Sequence, residues 1–132
     1  MLNKSGVTLV EMMIALVVLL FVSLALMQTT LVSIDSNMRN LLRNEAVSVA
    51  EQLIDDTRNT PYTDATMVDT AGVYTDRGAQ NRSVRNVAMS YSRVRRIIDH
   101  GADNKEVRVT IGWTWKGTQY NYNFSTVIRN PS

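Results

Sequence analysis

With 132 residues, 45% of them hydrophobic, the chain is too apolar to be disordered and long enough for one small domain. It has no cysteine, which excludes a disulfide framework and a zinc-thiolate site, and its net charge of +2 is too small to point to a partner. Much of the apolar content lies near the N-terminus, so the roughly 70 residues beyond Pro61 have a modest core and no disulfide to staple it.

The first element is an apolar run. Between Val7 and Ile34 the only ionisable side chain is Glu11, and the 21 residues from Val7 to Met27, at about 1.5 Å each in a helix, are enough to cross a bilayer core of ~30 Å. A buried core helix would need a larger protein around it than this chain supplies. A cleaved secretory signal is the sharper competitor, because Ser23-Leu24-Ala25 has the small-x-small pattern of a cleavage site. Against it stand Glu11 inside the apolar region, where a charge is costly, and a basic region limited to Lys4 and the amino terminus. Orientation is not fixed by charge, since Lys4 lies on one side of the run and Arg39 and Arg43 on the other.

The second element continues the first. From Met38, residues Leu42, Ala46, Val49 and Leu53 recur at spacings of four, three and four, with Ala50 and Ile54 beside them, which predicts one amphipathic face. No Pro or Gly interrupts Val7 to Thr60, and Pro61 supplies the stop. Next, residues 62–83 are rich in Thr, Asp, Gly and Asn and read as a loop with a short strand near Val73. A strand around Val87 to Val94, turning through Asp99 to Asn104, precedes two segments of strict alternation. These are Val107, Val109, Ile111, Trp113, Trp115 and then Tyr120, Tyr122, Phe124, Thr126, Ile128. A two-residue Lys116–Gly117 turn, or a four-residue loop in the same register, sets Trp113 against Tyr120, Ile111 against Tyr122 and Val109 against Phe124, all on one face. The fold expected is α+β: a long N-terminal helix, apolar and transmembrane in its first half and amphipathic in its second, packed on a small antiparallel β-sheet head.

Groups for catalysis are scarce. His100 sits in a turn without a second ligand or base at useful spacing, Asp55 and Asp56 point in different directions on a helix, and no phosphate loop is present. No enzyme, cofactor or metal site is expected. The aromatic ladder on the hairpin could stack bases, but on so small a sheet it reads as core. Charge is asymmetric: eight cations against three acids from Arg77 to Arg108 give +5, whereas the helical segment from Asp35 to Asp64 carries −3. The plain reading is a solvated face; docking to an acidic neighbouring subunit comes next, and DNA after it.

The string Gly6-Val7-Thr8-Leu9-Val10-Glu11 resembles the prepilin motif of type IV pilins and type II secretion pseudopilins, followed at once by the apolar run from Met12 to Met27. In that family a short basic leader ends in Gly, Thr-Leu supports the motif, and Glu is the fifth residue after the cut. Val7 replaces the usual Phe or Met. The resemblance implies a leader of residues 1–6, cleavage between Gly6 and Val7 by a prepilin peptidase, and methylation of the new amine. It implies a helix of residues 7–34 in the membrane or filament core, an amphipathic half of 35–60 and a head of 61–132. It also implies an amino terminus in the cytoplasm of a bacterial inner membrane, a single pass through its lipid, a periplasmic head, and later a place in a filament with other pilin or pseudopilin subunits. Cleavage leaves a cationic amine on Val7, and Glu11, one turn on, is suited to neutralise it on its own chain or a neighbour, where a lone charge would be expensive. The competing role is a helix-start charge favoured by the macrodipole.

Many major pilins carry a Pro in the apolar half, absent here, which argues against a bulk-filament role; the chain length, the run from Glu45 to Tyr62 and the late strand from Val107 to Trp115 resemble a minor pilin of the PilV kind or an I-type pseudopilin, placed at the filament tip, where it primes or caps assembly. A DNA-uptake pseudopilin is the alternative within the family, and a single-pass membrane-anchored periplasmic binding domain the alternative outside it.

Overall fold

A computed structural model describes residues 8–130; Gly6 and Val7, the two residues of the expected cut, lie outside them. The chain divides into two compact units, Met1–Met38 and Arg39–Ser132. Helix α1 spans Leu9–Arg58.

In the first unit no described residue covers the apolar surface of α1: every large hydrophobic side chain from Leu9 to Ile34 keeps half or more of its surface exposed. Its most apolar stretch has a mean hydropathy of 2.8, with none of its residues buried. Three hydroxyls in this half turn back onto their own helix. Ser23 Oγ donates to the Leu19 carbonyl at 2.8 Å, Thr29 Oγ1 to Ala25 at 3.1 Å and Thr30 Oγ1 to Leu26 at 3.0 Å. Each of these three hydroxyls is thereby satisfied without water, as an apolar solvent requires.

In the second unit the same helix is one-faced. Leu42, Ala46, Val49, Ala50, Leu53, Ile54 and Thr57 are buried, the face the spacing predicts, extended by Thr57. α1 ends at Arg58, two residues before the expected limit, where the Thr60 N–H bonds the Thr57 carbonyl at 3.2 Å and Pro61 cannot continue the ladder. Asp64 then caps a 3-10 turn, Ala65–Met67, accepting from the Thr66 N–H at 2.8 Å and its hydroxyl at 2.7 Å, and Met67 is fully buried.

The sheet has strands β1 (Thr75–Asp76), β2 (Gln80–Val84), β3 (Val87–Asp99), β4 (Asn104–Trp115) and β5 (Thr118–Arg129), in the order β1-β3-β4-β5 with β2 also on β3. All pairings are antiparallel. The β4–β5 hairpin has the expected register, with Trp115 opposite Thr118, Trp113 opposite Tyr120 and Val109 opposite Phe124. Lys116 and Gly117 have φ of 49° and 78°, the left-handed pair a two-residue hairpin turn needs.

Three expectations differ from what the chain does. Val73 sits in a turn, its N–H bonded to the Thr70 carbonyl at 2.9 Å, and the short strand follows at Thr75. β3 runs five residues past Val94. β2, within the segment read as loop, pairs with β3 through a tight turn at Arg85 and Asn86, φ 48° and 65°. Only Val84 of β2 is buried, so its pattern carries little hydrophobic signal.

The core lies between the sheet and Leu42–Thr57. Tyr91, Ile97, Val107, Val109, Ile111 and Trp113 supply the sheet side. The Tyr91 hydroxyl donates to the Leu42 carbonyl at 3.1 Å, and burial, helped by nearby Glu45, pushes its pKa up to about 12. Trp113 packs between Tyr91 and Tyr120, ring centroids 5.9 and 5.8 Å away. The aromatic ladder is therefore core at Trp113, half-buried at Tyr120 and Tyr122, and 40% exposed at Phe124 on the edge strand.

Candidate processing and assembly site

Thr8 and Glu11 define the start of α1. The Glu11 N–H donates to Thr8 Oγ1 at 3.2 Å, the Thr8 N–H donates to Glu11 Oε2 at 3.3 Å, and the Met12 N–H bonds the Thr8 carbonyl at 3.2 Å. This reciprocal pair is a capping box: two amides that the helix cannot satisfy internally find side-chain partners. The Thr-x-x-Glu spacing ahead of an apolar run is its sequence signature, so the signal was present in Thr8 and Glu11 and the motif reading passed over it. A carboxylate has about four lone-pair sites, so the bond to Thr8 leaves Glu11 acceptor capacity for a second donor. Leu9 is the first residue of α1 and is 79% exposed.

Residues 1–27 match the prokaryotic N-terminal methylation motif. The motif supports a type IV pilin or pseudopilin, a chain processed by a prepilin peptidase and assembled with other pilins. It points to a structural subunit rather than an enzyme, and together with the long apolar helix it fits an inner-membrane anchor. The fold agrees: a long N-terminal helix whose second half packs on a small antiparallel sheet is pilin-like. No curated protein and no solved structure matches the chain.

The basic segment has mostly intramolecular work. Arg82 pairs with Glu45 of α1 at 3.4 Å and donates to Gln52, so one acidic neighbour of this segment is the chain's own helix. Arg93 donates to the carbonyls of Arg77 at 2.8 Å and Gly78 at 3.0 Å, holding the link between β1 and β2. Lys105 reaches the carbonyls of Tyr62 and Met67, and its Nζ lies 4.2 Å from the Tyr62 ring centroid. Arg95 is only 3% exposed, donating to Thr57 Oγ1 at 3.0 Å and the Thr66 carbonyl at 2.8 Å. Burial lowers its pKa, Arg77 adds to that, and Asp64 opposes it. Sequence reading counted Arg95 among the surface charges; what buries it is the arrival of the helix end and the 3-10 turn over β3, which no local pattern announces.

His100 is exposed, and its Nε2 lies 2.9 Å from Glu106 Oε2, while Arg108 Nε donates to Glu106 Oε1 at 2.6 Å. Arg108, then His100, hold the Glu106 pKa down to about 2. Among the described residues no group of acidic or histidine side chains could hold a metal ion. Asp55 and Asp56 are both exposed on α1.

Proposed function

We propose that this chain is a minor pilin or pseudopilin that helps prime or cap a filament, after cleavage between Gly6 and Val7 and methylation of the Val7 amine. The observation that carries this reading is the capped helix start at Thr8 and Glu11 inside the methylation motif, leading into an apolar helix with no described residue buried from Leu9 to Ile34. Such a helix requires lipid or the helices of other subunits as its solvent. Glu11 then has two tasks: it caps its own helix, and its charge neutralises the amine of a neighbouring subunit in the apolar filament core.

The two tasks separate by substitution. Glu11→Gln keeps a side-chain acceptor for the Thr8 N–H but removes the charge, whereas Glu11→Ala removes both. If the charge pairs with an amine, both variants insert into the membrane at wild-type levels yet enter sheared filaments poorly. The loss is about 3 kcal/mol by analogy with a broken buried ion pair. Wild-type incorporation of Glu11→Gln with a defect in Glu11→Ala would reduce the role to capping, whereas absence of the wild-type chain from sheared filaments would favour the membrane-anchored binding domain. N-terminal mass analysis of the same material should find a methylated chain beginning at Val7.

A further inference from the structure

Within the unit Arg39–Ser132, β5 is the last strand of the sheet, and among the described strands its only neighbour is β4. The opposite edge is closed by the short strands β1 and β2. The twelve residues of β5 pair with β4 in unbroken register and include no Pro and no charged side chain before Arg129, so the devices that usually blunt a sheet edge are missing. The two-residue turn at Lys116 and Gly117 makes Trp115 and Thr118 a hydrogen-bonded pair. Even-numbered residues of β5 thus turn their backbone groups onto β4, whereas Gln119, Asn121, Asn123, Ser125 and Val127 turn theirs outward.

Three cavities follow this edge in sequence order on the face that carries α1. The first, about 540 Å³, holds Arg39 and Arg43 beside Tyr120 and Tyr122 and is lined by no acid. The second, about 300 Å³, holds Glu51 and Asp55 beside Phe124, with Arg58 drawn onto Thr126 Oγ1 at 2.9 Å. The third, about 380 Å³, lies at Pro61, Tyr62 and Ile128. A strand laid on β5 directs every second side chain to this face, at steps of about 7 Å, so its side chains enter the cavities in turn.

We propose that β5 accepts an extended segment of another protein as an antiparallel sixth strand, with a basic side chain in the cavity at Glu51 and Asp55 and, four residues later, an acidic one in the cavity at Arg39 and Arg43. Backbone bonds to the outward groups of β5 hold the segment, and the two charges set its register and direction. A second β5 is the poorer occupant: its side chains on this face are Tyr, Phe, Thr and Ile, which leave both charged cavities unanswered. The inference goes beyond the assembly reading and is independent of Glu11 and of the apolar half of α1.

The test uses the full chain in detergent micelles and a dye-labelled nine-residue peptide of alternating Val and Thr, in which Lys and, four residues on, Glu replace two of the valines. Fluorescence polarisation should show saturable binding. The peptide with Lys and Glu exchanged should bind about tenfold more weakly, since two attractive surface pairs become repulsive, and Arg43→Glu should narrow that difference. Ser125→Pro, which removes an outward N–H and leaves the β4 pairing intact, should abolish binding. Should that variant not fold, N-methylation of the peptide amides that face β5 tests the same bonds on the wild-type chain. No saturable binding, or equal binding of the N-methylated peptide, overturns the proposal. Concentration-dependent self-association of the chain that the peptide cannot displace would assign the edge to a second copy and overturn it as well.

Discussion

Two stretches of the same helix behave as though dissolved in different media. From Leu9 to Ile34 every large apolar side chain is exposed; from Leu42 to Thr57 seven side chains are buried against the sheet, while Arg43, Glu51, Gln52, Asp55 and Asp56 stay in water. Backbone propensity does not separate them, since both are continuous helix. What differs is the identity of the surrounding phase: the second half acquires its apolar solvent from the chain's own strands, and the first half must find one outside the chain. A helix is thus a frame whose side-chain pattern states which neighbour it needs.

The comparison can be broken most forcefully at matched leucines. Leu42 is fully buried and Leu19 is 61% exposed. Leu42→Ala should destabilise the head by about 3 kcal/mol through lost burial and a residual cavity, while Leu19→Ala should leave head unfolding unchanged. Thermal unfolding of the full chain in detergent, followed by the near-ultraviolet signal of the packed aromatics, reads both. Equal effects would mean that the two stretches share one cooperative core.

A smaller effect sharpens the boundary of the head. Arg95→Ala removes the bonds to Thr57 Oγ1, which keeps its own bond to the Leu53 carbonyl, and to the Thr66 carbonyl, and opens space beneath the helix end, a cost of about 2–3 kcal/mol for lost hydrogen bonds to a charged group. Arg95→Met, which refills the volume, should recover part of it, because a buried cation is offset by desolvation that an apolar side chain avoids. Chemical denaturation midpoints of the two variants decide this. If Met is no better than Ala, the hydrogen bonds and not the filling hold the helix end.

The smallest effect is a pH dependence confined to the head. The folded pKa of Glu106 is about 2 against an ordinary 4.5, so its contribution to stability is present above about 4.5 and is lost as pH falls through about 2. Stability of wild type and Glu106→Gln should therefore differ at neutral pH and converge near pH 2, as measured by denaturation across that range. A constant gap would show that Glu106 acts through packing rather than charge.

The sequence by itself determined the elements whose signal is periodic or local. The apolar run, the face from Leu42 to Ile54, and the hairpin through Lys116 and Gly117 follow from spacings of 3.6 and 2.0 and from a turn that tolerates positive φ. Thr8 and Glu11 state the helix start in the same local terms.

Tertiary structure decided the rest, because the causes lie far apart in the chain. β2 is a strand because Gln80–Val84 finds β3, not because five mostly polar residues prefer to be extended. A Cβ at Gly112 would stand 2.7 Å from Ser92 Oγ, which would have to turn away, a contact set by the β3–β4 register. Arg95 is buried because residues 57 and 66 close over it, and Arg82, Arg93 and Lys105 are turned to intramolecular use by partners up to 43 positions away. A charge written in sequence has no fixed meaning until the fold supplies the atoms that face it, whereas an apolar repeat carries its meaning in its own geometry.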